Sequence, residues 1–377
     1  MKNKNRTKVG LMVVGFSLLI IIISTSCAGC ELNALAWESD NGTTVTTTLP
    51  AVTTTTPATT TVVTTTAPQV PEFLNPLTGA ETTKEFSSKR ALAVSVGNTA
   101  ASMPQYGIGL ADILVEAPVE GGITRLLLLS CEYTDNDVFG SVRSTRKYLA
   151  DIAKDFDAIH AYAGTSDTGA STSLSGIETL DYIIQNLTNT YYTDPQRNAP
   201  HHIMTTASRL TSSAVLQGYR TTYTPTEYPF EFVDYFERAT LSDNDSLYVR
   251  IPFSSAHTTE FKYDSTAKTY TRYQFGSIHT DAKTGKALTY TNLFILFCDT
   301  VTYDKSSGTE ISIDVHSGGT GYYISDGKYV DIIWYRDENS NLKFCDKNGT
   351  TVKINRGKTY IGLVKISTKN SVVLNSK

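Results

Sequence analysis

The sequence predicts an α+β protein: a mixed α/β N-terminal domain followed by a β-rich domain, either a sandwich or a partly open barrel. Three observations predict it. Between 72 and 218, apolar runs of strand length alternate with stretches of helical period. From 228 to 372, short strand-like runs follow one another between turn signals. Tyr is abundant, with 22 residues against 2 Trp, and Tyr favours strands.

Ahead of these domains the chain reads as an address and a tether. Lys2, Lys4, Arg6 and Lys8 form a basic start, and Val9 to Ile23 is an uncharged apolar run. "STSCAGC" follows, so residues 1–26 read as a lipoprotein signal peptide with small residues before a Cys. Cys27 is the expected lipidated residue, with Cys30 as the alternative; an uncleaved membrane helix is the other reading, since Val9 to Gly29 is about bilayer length. A diacyl anchor supplies the two chains that stable attachment needs and leaves the rest of the protein outside, facing the wall. Residues 27–71 form the tether. From Asn41 to Pro71 there is no charge, mostly Thr, and too little large apolar content to fold. A flexible coil of that length spans on the order of 35–40 Å.

The elements then follow in order. Ala91–Val96 reads as a strand. Ile113–Val119 and Ile123–Cys131 read as two more, joined by Gly121-Gly122 as a two-residue hairpin turn, where positive φ is needed. Val142 to Phe156 has helical period, Ala158–Ala163 reads as a strand, and Glu178–Leu187 and Ala207–Gln217 read as helices. In the second domain the expected strands are Ser246–Ile251, Thr269–Phe275, Leu288–Cys298, Ile311–Val315, Val330–Tyr335 and Tyr360–Ile366. They are separated by "DAKTGK", "HSGGTG", "SDGK", "KNGT" and "NRGK".

A net charge of -4 gives no general attraction to nucleic acid. Cys131, Cys298 and Cys345 have no metal-ligand spacing and lie in apolar runs, which suits buried free thiols. A Cys298–Cys345 disulfide is the alternative outside the cell. No motif calls for a cofactor or a metal ion.

The stretch "GSVRSTRKYL" (140–149) carries the most pointed question. On a helix from Val142, the apolar row Val142, Leu149, Ala153 and Phe156 has Arg146 at its missing position. A buried guanidinium needs acceptors, because an unpaired buried charge is very costly. With Gly121-Gly122 as a two-residue turn, Glu116, Glu120 and Arg125 share one strand face. Two readings stand: an internal Arg–Glu pair, or an anion or sugar site built from Arg125, Arg143 and Arg146 with Glu116 or Glu120. Helix N–H groups beside Ser141 would add donors.

His160 lies on the strand "AIHAYA" before a Gly-Thr-Ser-Asp loop, and His201-His202 lie in "RNAPHHIM". His160, His202 and Glu116 are the candidates for acid–base work, with Ser166 or Asp167 as neighbours of His160. There is no G-x-S-x-G elbow and no H-E-x-x-H.

Taken together and in order, "NPLTG", "ADILVEAPVEGGITR", "FGSVRSTRKY", "HAYAGTS", "NAPHHIM", "YTRYQFGSIHTDAKTGKAL", "TNLFIL" and "DGKYVDIIWYR" resemble the YerB-like lipoproteins of Gram-positive bacteria. The resemblance covers roughly 73–370, as a pair of domains of unknown function. It implies an exported, lipid-anchored envelope protein and brings no settled activity. The family pattern usually has Gly-Gly-Ser after the strand His region, where this chain has Ala163-Gly164-Thr165-Ser166, and Pro-His-Asn where it has Pro200-His201-His202.

The expectation is a membrane-anchored envelope lipoprotein that binds an anionic or cell-wall-related ligand. A hydrolase or transferase acting on wall polymers is one alternative. A structural module that docks an envelope protein is another.

Overall fold

The computed structural model describes residues 68–375, apart from 166–173, 175, 184–188, 243 and 306–307. The expected signal peptide, Cys27, Cys30, the tether up to 67, and Ser166 and Asp167 lie outside the described residues. No helix among the described residues is long and apolar enough to cross a membrane.

The first stretch begins with a short helix, α1 (Lys84–Ser87), and a strand, β1 (Leu92–Asn98). The expected hairpin follows as β2 (Ile113–Pro118) and β3 (Thr124–Ser130), and then β4 (Val138–Gly140). Next come α2 (Lys147–Asp155), β5 (Ile159–Tyr162), β6 (Thr179–Asp181), β7 (Tyr191–Thr193), β8 (Ile203–Thr206) and α3 (Ala207–Leu216). Two helix expectations need correcting. The helix foreseen from Val142 starts at Lys147: residues 142–145 run extended, because Val142 bridges Val96 and Thr145 bridges Thr165. In the stretch foreseen as helix from Glu178, Thr179–Asp181 pairs in parallel with β5, so the open sheet edge outweighs local propensity.

The second stretch supplies β9 (Glu231–Phe232), β10 (Tyr248–Pro252), β11 (Thr258–Asp264), β12 (Thr269–Gln274), β13 (Ser277–Ile278) and β14 (Thr289–Tyr290). It continues with β15 (Asn292–Cys298), β16 (Thr300–Lys305), β17 (Gly308–Ile313), β18 (Gly319–Ser325) and β19 (Lys328–Arg336). Then come β20 (Leu342–Cys345), β21 (Lys353–Ile354) and β22 (Thr359–Lys365). The single strand expected over Leu288–Cys298 breaks at Thr291, and its two pieces join different sheets.

Among the described residues, ten strands form one sheet in the order β20-β19-β18-β15-β22-β2-β3-β1-β5-β6. It draws on both stretches. The join is β22, which lies parallel to β15 on one side and to β2 on the other. Central strands such as β1, β3 and β15 are buried along their whole length and so read as mostly apolar runs without alternation. A five-stranded sheet, β10 to β14, packs on one face. Phe261, Val249 and Tyr270 there meet Leu114, Leu126 and Tyr360 of the large sheet, with the Phe261 and Tyr360 rings 4.7 Å apart. The opposite face packs against α2 through Tyr148, Leu149, Ile152 and Ala153. The class is α+β, with no closed barrel. Cys131, Cys298 and Cys345 are free, buried thiols.

Candidate functional site

The connection between β2 and β3 decides which side chains can meet. Gly121 (φ 72°) and Gly122 (φ 73°) adopt the positive φ expected of them. The loop, however, occupies 119–123 rather than two residues, and Ala117 stands opposite Arg125 while Glu116 stands opposite Leu126. The pairing is one residue away from that of a two-residue turn. A one-residue slip sends side chains to the other face of the sheet. Glu116 therefore does not share a face with Arg125, contrary to the sequence reading.

Glu116 is instead the centre of a buried polar network between the large and small sheets, in which the Arg272 Nε alone is left without a partner among the described residues. Its Oε1 accepts from Asn98 Nδ2 (3.0 Å), Thr124 Oγ1 (2.7 Å) and His257 Nε2 (2.9 Å). Its Oε2 accepts from Arg272 Nη2 (2.7 Å), Tyr360 Oη (2.8 Å) and Thr259 Oγ1 (2.9 Å). Burial alone would raise the Glu116 pKa, but Arg272 and His257 outweigh it and hold the carboxyl well below the usual range. Arg272 also donates to Gln274 Oε1 (2.7 Å) and to His279 Nδ1. His279 Nε2 then donates to Gln105 Oε1 (2.8 Å), which makes His279 a neutral imidazole. Burial and Arg272 push its pKa well down. Glu116 and Arg272 are both 0% exposed. All six Glu116 partners are protein groups, so the network acts as a clasp.

The three arginines stay together on the other face. Arg146 is the N-cap residue of α2, with extended dihedrals (φ −134°, ψ 153°), rather than a member of a helical row. Its Nε donates to both Glu120 oxygens (3.1 Å each), its Nη2 donates to Oε2, and its Nη1 donates to Thr145 O (2.7 Å). Glu120 also accepts from Ile311 N (3.2 Å). Burial pushes the Glu120 pKa up, while Arg146 and the backbone donors bring it below its ordinary value. Arg143 lies on the extended run before the helix, its stem across β1. A Cβ on Gly97 would stand 3.1 Å from Arg143 Cγ, so a larger residue there would crowd that stem. Arg143 Nη1 donates to Pro200 O (2.8 Å).

Arg125 differs from both. It sits on β3 directly opposite Gly97 and is only 4% exposed. Among the described residues its guanidinium has no hydrogen-bond acceptor, and its Nε is fully buried without a partner. Burial, then the like charges of Arg146 and Arg143, pull it from its ordinary value down to about 9. His201 borders the group: burial and the charges of Arg143 and Arg125 lower its pKa, and its Nδ1 is buried without a partner. Arg125 is thus a buried cation flanked by two more cations and one paired glutamate.

The candidates for acid–base work are not brought together. His160 Nε2 meets Ser95 Oγ at 3.0 Å; both residues are 0% exposed, and burial takes the imidazole pKa down to about 3. His202 is half-buried, and Asp194 N donates to its carbonyl (2.7 Å). Glu116 belongs to the clasp on the other face of the sheet. A cavity of about 400 Å³ elsewhere is lined by Leu110, Asp281, Lys283, Lys286, Leu288 and Lys358 among others. Two of its lysines are already engaged, Lys283 by Asp137 (3.1 Å) and Lys358 by Gly109 O (2.6 Å). We therefore place the candidate site at the arginines. Arg272, His257 and His279 escaped the sequence reading. One signal was available for Arg272: it falls between Tyr270 and Gln274 on the buried parity of an alternating strand.

Two domains described as "Protein of unknown function (DUF3048)" match the chain, the N-terminal domain over 77–220 and the C-terminal domain over 249–361. A Bacillus subtilis (strain 168) protein named "Putative lipoprotein YerB" is 30% identical over 299 residues, covering 77% of this chain and 85% of that protein. The chain belongs to the DUF3048 family. A crystal structure of YerB protein from Bacillus subtilis matches with a TM-score of 0.70 at 27% identity, over 81% of this chain and all of that one. The resemblance read from the motifs is thus borne out, and so is the α+β class. The family description assigns no ligand and no activity.

Proposed function

We propose that this protein is a lipid-anchored envelope lipoprotein on the outer face of the cytoplasmic membrane. Its folded region binds an anionic, cell-wall-related ligand at Arg125, Arg143 and Arg146, with Glu120 orienting Arg146. The N-terminal pattern and the lipoprotein name of the Bacillus relative support the anchoring. One observation carries the ligand reading: Arg125 is a buried cation without an acceptor among the described residues, and a fold rarely keeps such a group unless something else completes it. Full-length protein in detergent, melted with and without soluble anionic wall fragments, tests this. Wild type gains melting temperature with the fragments. Arg125→Met loses that gain and melts no lower than wild type without ligand, because removing an unpaired buried charge relieves strain. No gain for wild type, together with a destabilised Arg125→Met, would make the arginines structural.

A further inference from the structure

The donors left over at this site indicate which anion it takes. Arg146 is the most engaged of the three: its Nε, Nη1 and Nη2 each have a partner in Glu120 or Thr145, which leaves it one spare N–H on each terminal nitrogen. Arg143 has one bond, from Nη1 to Pro200 O, and Arg125 has none among the described residues. Among the described residues Glu120 is the one carboxylate in an ion pair with any of the three, so two of their three positive charges have no ion-pair partner there. The two open guanidinium groups also come from different elements, β3 and the extended run ahead of α2, with Gly97 making room for the second. A carboxylate is planar, carries one charge, and is satisfied by one fork. A terminal phosphate carries nearly two charges at neutral pH and presents three oxygens to donors from several directions.

Resting on the anion-site reading above, we propose that the site takes a doubly charged phosphoryl group, that of a phosphomonoester, held between Arg125 and Arg143 with His201 at its edge. Recognition is by charge count and by tetrahedral shape. A phosphodiester, with one charge and two esterified oxygens, is the weaker ligand.

Calorimetric titration of the full chain in detergent decides it, with four probes: glycerol 3-phosphate, diethyl phosphate, acetate, and vesicles containing phosphatidate. Glycerol 3-phosphate binds, and its affinity falls as pH drops through the second phosphate pKa near ~6, because the dianion is lost. Arg125→Met abolishes that binding, and the half-buried Arg143→Gln weakens it about ten- to a hundredfold, the equivalent of one charge-assisted hydrogen bond. Binding of the free compound assigns a soluble or wall-borne source. Binding of phosphatidate vesicles alone, with the same dependence on both arginines, assigns a lipid headgroup and keeps the phosphoryl proposal. Acetate or diethyl phosphate binding as tightly as glycerol 3-phosphate overturns the phosphoryl assignment and leaves the anion site standing. If no probe binds and Arg125→Met changes nothing, both fall.

Discussion

Replacing Arg272 with Met tests the clasp between the two sheets. The change removes a buried guanidinium 2.7 Å from a buried carboxylate while keeping much of the side-chain volume. Glu116 would keep five donors but lose the positive charge that offsets its desolvation. Breaking a buried pair from one side costs about 3–5 kcal/mol. For a folded region of this size that lowers the melting temperature by roughly 5–15 °C. Glu116→Gln strands Arg272 in the same way and should cost about as much. The double variant is the informative one. The Thr259 and Tyr360 hydroxyls can turn to accept from the amide that Glu116→Gln introduces, so the double loss should fall short of the summed single losses by about 2–3 kcal/mol or more. Urea unfolding followed by circular dichroism measures all three. The pH arm has a definite sign. The folded Glu116 pKa lies below its unfolded value, so its contribution is present above the unfolded pKa and is lost as pH falls through the folded one. Wild type should lose stability below about pH 4.5 more steeply than Glu116→Gln. Single losses that simply add, or an unchanged acid limb in Glu116→Gln, would refute the clasp.

Three other substitutions have definite expected outcomes, two from the geometry and one from the N-terminal sequence. Arg146→Leu leaves Glu120 with Ile311 N but no cation, and because that carboxylate is about one-fifth exposed the loss should be about 1–3 kcal/mol by urea titration, at the lower end for a broken pair. His160 has its pKa depressed to about 3, so the unfolded chain binds a proton that the folded one refuses: stability should fall as pH drops from about 6.5, and His160→Gln should flatten that slope in melting curves. Replacing Cys27 with Ser should abolish palmitate labelling in a Gram-positive host; labelling lost only on changing Cys30 would move the anchor to that residue.

Much of the fold could be read locally. The β2 and β3 strands, the α3 helix and the glycines of the hairpin loop declare themselves in short windows of apolar period and turn chemistry. The register between β2 and β3 did not, because it turns on whether two or five residues make the loop, and either loop contains Gly121-Gly122. That single ambiguity put Glu116 on the wrong face. Arg146 was misplaced for a related reason. Helical period begins before the helix does, and the bridges of Val142 and Thr145 to distant strands hold the run extended. Arg125 was legible as unusual, but its lack of an acceptor was not. That depends on Gly97 and Arg143, which only the folded sheet brings beside it.

The place of β22 bears on how the chain becomes a protein. The strand is made after every other strand of the large sheet, yet it must seat itself between β15 and β2, pairing in parallel with each. Until it arrives, β2 keeps one open flank, and the early and late strands are two unjoined fragments of a sheet. Synthesis from the N-terminus cannot close the large sheet piece by piece; the join waits for β22. Closing contacts that span nearly the whole folded region is slow compared with local pairing. A chain cut before Thr359 would therefore lose more than its last strand: it would hold two half-sheets with raw edges, prone to pairing with other chains.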